Sequence, residues 1–235
     1  MSSSRATPDR ARVREILRRL RRRYGPLDPP PVREPLDELI LTVLSQNTND
    51  LNRDRAWASM RERFPGWQDV ASSPEADLVA AIRVGGLANT KAPRIQAILR
   101  EIRDREGGFD LGWMGVASDE DVAAYLATLP GVGPKTVACV LAFSLGRPAL
   151  PVDTHVHRTA GRLGLIPPGL PAGPAHAAIQ AVVPPRDRLA VHVGLIRLGR
   201  DVCRAGRPRC EDCALVDVCP TAPSVLAAGT AGGAR

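Results

Sequence analysis

The sequence predicts an all-α fold. Apolar residues recur at spacings of three and four in several stretches, whereas segments that alternate apolar and polar residues are scarce. The clearest stretches contain Leu36, Leu39, Ile40 and Val43; Ile95, Ile98, Leu99 and Ile102; and Val122, Tyr125, Leu126 and Leu129. Helix-start and helix-stop signals agree with this pattern, since Ser118 precedes Asp121 by three residues and Gly146 is followed by Pro148. We therefore expect a chain of short helices.

Both ends of the chain depart from this helical middle. Residues 1–30 predict a basic amphipathic helix, whose apolar positions are Val13, Ile16, Leu17 and Leu20. Residues 221–235 are rich in Ala, Gly, Ser and Pro without a periodic pattern, so we expect a disordered tail. The first residues lack the apolar core of a secretory signal, which predicts a reducing, cytoplasmic location and no disulfides among the five cysteines.

Composition and charge narrow the possible functions. With 44% hydrophobic and 24% charged residues, and no apolar run near the roughly 18 residues of a membrane span, the chain is typical of a globular protein. Residues 1–33 carry ten Arg against three acidic residues, and residues 186–209 carry seven Arg against two. Two basic stretches favour a polyanion partner, and a solvated Arg-rich helix face is the alternative.

A glycine-rich turn separates two predicted helices within residues 119–145. The turn has the sequence LPGVGPKT over residues 129–136. Gly131 and Gly133 allow backbone conformations and a close approach that a side chain would block. Backbone N–H groups there, together with the start of the second helix, form a natural phosphate site. The segment therefore predicts a helix, a hairpin and a second helix that contact phosphate.

Lys135 stands out because the chain uses Arg almost everywhere else. Of 32 basic residues, 30 are Arg, and the exceptions are Lys91 and Lys135. An ammonium can lose its proton and become a nucleophile, whereas a guanidinium stays charged in proteins. In the segment PVDTHVHR, Asp153 directly precedes another predicted helix, where its carboxylate can cap the helix, remove a proton or stabilise a cation. Lys135 and Asp153 are the candidate catalytic residues.

Four cysteines near the C-terminal end predict a metal centre. Cys203, Cys210, Cys213 and Cys219 have the spacing C-x6-C-x2-C-x5-C, which places four thiolates within 17 residues. Zinc sites often use two Cys-x2-Cys pairs, and this segment has one, so an iron-sulfur cluster is favoured. Zinc, or a site without metal, is the alternative. Cys139 stands apart in an apolar stretch, which predicts a buried thiol.

Together these motifs resemble the endonuclease III family of helix-hairpin-helix DNA glycosylases. The resemblance runs from about Glu38 to Cys219 and rests on LPGVGPKT, PVDTH and the cysteine spacing. It implies a two-lobed all-α protein with a DNA cleft between the lobes. Residues 31–147 would form a six-helix lobe that contains the hairpin. Residues 1–30 and 148–220 would form the second lobe, with a [4Fe-4S] cluster in the loop of residues 203–219.

The resemblance also implies an activity in base-excision DNA repair. Lys135 matches the lysine whose amine attacks C1′ of the damaged nucleotide, and Asp153 matches the catalytic aspartate. The implied enzyme is a bifunctional glycosylase and AP lyase that removes oxidised pyrimidines of the thymine glycol type. It nicks the strand 3′ to the abasic site by β-elimination through a Schiff base. Its partner would be damaged double-stranded DNA and not a membrane, bound by a monomer that associates with the nucleoid through DNA.

Two segments differ from the family pattern at the side chains that enter the duplex. In SQNTND, residues 45–50, Asn47 rather than Gln46 takes the position of a common Gln that fills the gap left by the flipped base. Leu87 in GGLANTKA matches a second, apolar wedge, but Ala88 stands where an aromatic residue is frequent. Both changes reduce the surface that faces the lesion. The residues expected to contact DNA are Gln46, Asn47, Leu87, Gly131, Gly133, Arg204, Arg207 and Arg209.

Two other functions stay open at this stage. One is a sister glycosylase that acts on a mismatch or on a pyrimidine dimer, although Lys135 argues against the adenine-mismatch enzymes, which lack a lysine there. The other is a DNA-binding module without catalysis, which would use the hairpin and the cysteine loop only to hold DNA. The presence of both Lys135 and Asp153 favours an enzyme.

Overall fold

The computed structural model describes residues 10–231, with side chains to residue 228, and confirms the all-α prediction. Every regular element in this range is helical, and none of its helices is long and apolar enough to cross a membrane. The α-helices are α1 (Arg10–Tyr24), α2 (Pro35–Leu44), α3 (Asp50–Arg63), α4 (Trp67–Ser72), α5 (Glu75–Ile82), α6 (Ala88–Glu106), α7 (Asp119–Ala127), α8 (Pro134–Cys139), α9 (Thr154–Arg162), α10 (Ala172–Val182), α11 (Arg188–Asp201) and α12 (Ala222–Ala231). Short turns of 3-10 or π-helix join several of them.

The helices form two compact units. Residues 31–147 form the hairpin unit, which contains α2 to α8, and the described parts of 1–30 and 148–235 form the cysteine unit. The hairpin unit has seven α-helical segments where the resemblance implies six. Its extra break lies at Ser73 and Pro74, whose extended backbone separates α4 from α5. Proline disfavours helical backbone in the residue before it, which explains the break.

The core of the hairpin unit forms around α2 and the long helix α6. The apolar positions that the sequence predicts for these helices are buried: Leu36, Leu39, Ile40, Val43, Ile95, Ile98, Leu99 and Ile102. Helix α6 contacts α2, α4 and α5, so its apolar stripe is covered from several sides. The two helices therefore provide a rigid base for the loops that follow α2 and precede α6.

The predicted hairpin lies between α7 and α8. Helix α7 begins as predicted, because the Ser118 side chain accepts a hydrogen bond from the Asp121 N–H at 3.0 Å. Helix α8 starts with Pro134, where the missing N–H costs nothing. After Cys139 the chain continues as one turn of π-helix over Val140–Ser144, and Gly146 ends it with a φ of +63°. Helix α8 and this wider turn together reach residue 144, close to the predicted end of the second helix at residue 145.

In the cysteine unit, α1 packs its apolar stripe against α11. Val13, Ile16, Leu17 and Leu20 are all buried there, as the helical spacing predicts. Two arginines of α1 donate to backbone carbonyls in distant segments of the cysteine unit. Arg12 donates to the carbonyls of Leu163 at 2.6 Å and Val218 at 3.1 Å, and Arg19 donates to the carbonyl of Ala214 at 3.2 Å. These guanidinium groups therefore stabilise the fold.

The predicted disordered tail is wrong over most of its length, because α12 covers Ala222–Ala231. Alanine has the highest helix propensity, and an Ala-rich helix shows little apolar periodicity because its side chains are small. The helix is also anchored, since Ala222 is only 2% exposed and the Thr221 hydroxyl donates to the Arg162 carbonyl at 2.8 Å. For residues 232–235 the expectation lies outside the described residues.

We predict that Leu20→Ala lowers the free energy of unfolding by about 2 to 5 kcal/mol, because it leaves a cavity in the core of the cysteine unit. Leu20 is fully buried, and its Cδ1 lies only 2.8 Å from where a Cβ on Gly194 of α11 would be. Urea unfolding followed by circular dichroism measures the change.

The matched control is Arg21→Ala on the exposed face of the same helix, which should change the free energy of unfolding by no more than about 0.5 kcal/mol. Equal effects of the two substitutions would contradict the packing described for α1.

Candidate active site and cysteine cluster

Lys135 is the second residue of α8 and follows the hairpin directly. Its side chain is partly exposed, and its Nζ donates to the Ser45 hydroxyl at 3.4 Å, the long end of the hydrogen-bond range. The Ser45 hydroxyl in turn donates to the Thr42 carbonyl at 2.7 Å. The candidate nucleophile is thus placed beside the loop that follows α2, and its contact with Ser45 there is weak.

Glu38 on α2 is a buried acid close to Lys135, and no sequence motif indicates a role for it. It is 5% exposed, its Oε1 accepts from the Thr42 hydroxyl at 3.2 Å, and Arg33 lies 3.7 Å from its Oε2. Burial raises the pKa of Glu38, while the positive charges of Arg33, Lys135 and Arg53 act in the opposite direction. A carboxylate inside an apolar helical stripe is unusual, and this was the signal available in the sequence.

Cys139, one turn beyond Lys135, is buried as predicted. Burial raises the pKa of its thiol, and the nearby ammonium of Lys135 opposes that rise. A thiol with a raised pKa stays protonated and is a poor nucleophile. Cys139 is therefore a core residue behind the candidate amine.

The two hairpin glycines have different roles. Gly131 has a φ of +71°, and a Cβ there would lie 2.5 Å from Nε of Arg94. Gly133 has an extended backbone, with φ −109°, which any residue can adopt, and a Cβ there would meet no protein atom within 4 Å. The backbone conformation that favours glycine, which the sequence predicts for both residues, therefore occurs at Gly131 only. The space above Gly133 is open, so a ligand backbone can approach it closely.

Asp153 belongs to the cysteine unit and caps α9. Its Oδ1 accepts from the Val156 N–H at 2.7 Å, as the sequence predicts for a residue just before a helix. The side chain is only partly buried. The cap fixes the carboxylate at the start of α9.

Two histidines hold the backbone just before Asp153. The Val152 N–H donates to Nε2 of His176 at 3.1 Å, and Nδ1 of His192 lies 2.8 Å from the Pro151 carbonyl. Burial lowers the pKa of His176, which favours the neutral ring that can accept a hydrogen bond from an N–H. No motif in the sequence indicates these roles for the two histidines, because the contacts join residues that are far apart in the sequence.

Both candidate wedge residues have strained backbones and exposed side chains. Asn47 and Leu87 each have a φ of +51°, and they are the only non-glycine residues with positive φ in the part of the chain that the structure describes. Leu87 is 54% exposed, so it is not a core residue. Gln46 is partly buried, and its Oε1 accepts from Arg94 at 2.9 Å. Of Gln46 and Asn47, only Asn47 therefore has an exposed side chain.

The four clustered cysteines line one cavity in the cysteine unit. The Leu215 N–H donates to Cys213 Sγ, and Arg162 Nη1 donates to Cys203 Sγ, each at 3.4 Å. Burial raises the pKa of Cys210 and of Cys213, and the neighbouring cysteines add to both rises. Among the described residues, no group of three or more Cys, His, Asp or Glu side chains is arranged to hold a metal ion.

The three arginines expected to contact DNA differ in their surroundings. Arg209 pairs with Asp201 at 3.2 Å and lies 3.6 Å from Asp212, so part of its charge is used inside the loop. Arg204 is exposed, and its Nε donates to the Asp201 carbonyl at 3.2 Å. Arg207 is exposed. Arg207 is therefore the arginine best placed to bind a polyanion from solution.

We predict that a side chain added at Gly131 destabilises the protein, whereas one added at Gly133 does not. Gly131→Ala should lower the free energy of unfolding by about 1 to 2 kcal/mol or more, because a Cβ forces left-handed backbone strain and a contact with Arg94. Gly133→Ser should leave it unchanged within about 0.5 kcal/mol, because serine is a favoured N-cap and the site is open. Thermal unfolding of the two variants tests the difference, and destabilisation by Gly133→Ser alone would contradict it.

Sequence comparisons connect the chain to known repair proteins. A protein-family model described as HhH-GPD superfamily base excision DNA repair protein matches residues 40–185. Endonuclease III of Thermotoga maritima is 34% identical over 207 residues, 88% of this chain and 90% of that protein. Endonuclease III of Escherichia coli K12 is 33% identical over 223 residues, 90% of this chain and 96% of that protein. A protein of Arabidopsis thaliana named as a DNA glycosylase is 44% identical over 132 residues, but the match spans only 45% of that protein.

Solved structures of DNA glycosylases also superpose on this chain. A trapped endonuclease III–DNA covalent intermediate superposes with a TM-score of 0.80 at 26% identity, and the match covers 93% of this chain and 99% of that chain. A thermostable thymine-DNA glycosylase superposes with a TM-score of 0.72 at 21% identity over 90% of this chain and 95% of that chain, which shows a shared fold alone.

Proposed function

Because the chain belongs to the endonuclease III family of base-excision DNA glycosylases, we propose that it is a bifunctional glycosylase and AP lyase for oxidised pyrimidines of the thymine glycol type. One observation carries the proposal. The sequence has only two lysines, and Lys91 is 1% exposed, so Lys135 is the lysine whose amine can reach a substrate. Lys135 directly follows the hairpin. The similar solved structure of endonuclease III is a trapped covalent intermediate with DNA.

The proposed reaction starts at the amine of Lys135. A bond forms between Nζ and C1′ of the damaged nucleotide while the bond from C1′ to the base breaks, and the base leaves with the electron pair and takes up a proton. The sugar opens to a protonated Schiff base. Loss of a C2′ proton then expels the 3′ phosphate by β-elimination, and water releases the lysine. Asp153 is assigned the role of the acid–base group that accepts a proton during the reaction and stabilises positive charge on the sugar.

The hairpin is assigned to hold a DNA phosphate. The first N–H groups of a helix have no carbonyl of a preceding turn to bind, and the open space at Gly133 lets a phosphate approach them. Such a contact positions the duplex without reading its sequence. The exposed Arg204 and Arg207 would add phosphate contacts, and Arg209 would contribute less because of its internal ion pairs.

Asn47 and Leu87 are assigned to enter the duplex when the damaged nucleotide leaves it. Their exposed side chains and positive φ values support this role, because strained backbone is kept where function needs it. Flipping a nucleotide costs a few kcal/mol, least for a base that already stacks poorly, as an oxidised and non-planar pyrimidine does. Asn47 is shorter than the glutamine common in the family, so we expect a weaker hold on the opposite base.

The four clustered cysteines would hold a [4Fe-4S] cluster through their thiolates. Their common cavity, lined also by apolar residues such as Leu198 and Val202, fits a bulky cofactor, and the two hydrogen bonds to sulfur suit charged ligands. When bound, the cluster supplies a cross-link that shapes the loop. The protein would act as a monomer on damaged DNA in the cytoplasm, associated with the nucleoid.

Lys135→Ala is expected to abolish strand cleavage at an abasic site while the affinity for duplex DNA stays within about threefold, because the variant removes the nucleophile and keeps the hairpin. Asp153→Asn should lower base excision by about a hundredfold or more without loss of stability, because the amide oxygen can still cap α9. Cleavage and gel-shift assays measure both effects. Cleavage by Lys135→Ala at the wild-type rate would refute the mechanism.

Purified protein is expected to be brown and to contain about four iron atoms and four sulfides per chain. Cys213→Ser should release much of this iron, since it removes one ligand. Metal and sulfide analysis together with visible absorbance measures the content. Colourless protein with one zinc per chain would overturn the cluster assignment in favour of zinc.

A further inference from the structure

Lys91 is a buried cation with two backbone partners. It lies in the first turn of α6, and it is the largest fully buried side chain among the described residues. Its Nζ donates to the Leu44 carbonyl at 2.7 Å and to the Gly85 carbonyl at 2.9 Å. Leu44 is the last residue of α2, and Gly85 ends the short 3-10 turn before α6. One ammonium therefore joins two loops that are about 40 residues apart in the sequence.

Burying this ammonium has an energetic cost, since burial lowers the pKa of Lys91 to about 8. The contacts offset that cost. The Leu44 carbonyl lies at the C-terminal end of α2, where the helix dipole favours a cation and the last carbonyls lack partners inside the helix. Removing the ammonium would leave both carbonyls buried without their donor. The lysine thus stabilises one particular arrangement of the two loops.

Both loops carry a strained, exposed residue shortly after the carbonyl that Lys91 binds. Asn47 follows Leu44 by three residues, and Leu87 follows Gly85 by two, and each has a φ of +51°. Left-handed backbone is unfavourable for a residue other than glycine, and more so for leucine than for asparagine, so it persists where neighbouring contacts hold it. The ammonium of Lys91 is a contact that the two loops share.

Arg94, one turn beyond Lys91 on α6, makes a second connection. Its Nη1 donates to Gln46 Oε1 at 2.9 Å, which fixes the residue beside Asn47. The same side chain lies against Gly131 in the hairpin, where a Cβ would be 2.5 Å from Nε. The face of α6 that carries Lys91 and Arg94 therefore contacts the loops of Asn47 and Leu87 and the hairpin.

We propose that Lys91 and Arg94 are positioning residues that fix the spacing of Asn47 and Leu87, so that the two side chains enter the duplex together. The inference rests on the proposed function, because it takes these two residues as the wedges. Loss of either positioning residue would weaken nucleotide flipping more than the chemistry at Lys135.

The test compares Lys91→Met with Gln96→Met. Gln96 lies on the same helix, is 5% exposed, and donates to the carbonyls of Val70 at 3.2 Å and Ser73 at 2.8 Å. Both substitutions remove a buried donor that joins two carbonyls, but the carbonyls bound by Gln96 belong to α4 and to Ser73, the residue that follows it. Gln96→Met is therefore a matched control for loss of stability alone.

Two readouts separate positioning from chemistry. The first is a ratio of two rates: base excision from a thymine glycol duplex, divided by strand cleavage of an abasic single strand. Cleavage of the single strand requires no nucleotide flipping, so the ratio reports on flipping. Lys91→Met should lower this ratio about tenfold, and Gln96→Met should leave it unchanged. The second is the fluorescence of 2-aminopurine opposite a tetrahydrofuran abasic site, which rises when a wedge unstacks the base. Lys91→Met should reduce this rise, and Gln96→Met should not.

An unchanged ratio with a wild-type fluorescence rise, or equal effects of the two substitutions, would overturn the proposal. If the wild-type protein cleaves neither substrate, the proposed chemistry fails, while the fluorescence readout still decides the positioning role. If Lys91→Met does not fold, Arg94→Met tests the same coupling, because Arg94 is only partly buried. An Arg94→Met protein with the wild-type ratio and fluorescence would then overturn the proposal.

Discussion

The buried ammonium of Lys91 is the interaction on which the loops of the hairpin unit depend. A charge without water must be surrounded by hydrogen-bond acceptors, and here the acceptors are the backbone carbonyls of Leu44 and Gly85. These contacts join the end of α2 to the 3-10 turn that precedes α6. The loop after α2 also provides Ser45, which binds the amine of Lys135. The candidate nucleophile and the two candidate wedges are therefore arranged around one helix, α6, and its polar side chains.

The chain has a formal net charge of +7, and nearly all of its cations are arginines. Some of these arginines stabilise the fold, and others are exposed and can bind a partner. A planar guanidinium carries five N–H donors in a fixed geometry, so one arginine can bind several acceptors at once. Arg12 and Arg162 use this geometry to hold segments next to the clustered cysteines. The net charge therefore overstates the basic surface open to DNA, and the exposed Arg204 and Arg207 are better candidates for phosphate contacts.

Local signals in the sequence predicted the local structure. Helical periodicity and capping rules gave the helices and the caps at Ser118 and Asp153, because both depend on residues within one or two turns. Contacts between distant segments were missed. The burial of Lys91 and Glu38, and the position of His176 behind Asp153, follow from tertiary packing that no spacing rule describes. The C-terminal helix was missed because alanine gives helices without a pattern of polar and apolar residues.

Borohydride trapping followed by peptide mapping tests the central claim most directly, because reduction converts a Schiff base with DNA into a stable adduct. Duplexes with an abasic site or with thymine glycol would be compared side by side. We expect adducts on both duplexes, and we expect the DNA on the peptide of Lys135, since the only other lysine is buried. Binding of both duplexes without any adduct, or an adduct on another amine, would contradict a lysine Schiff-base mechanism at the hairpin.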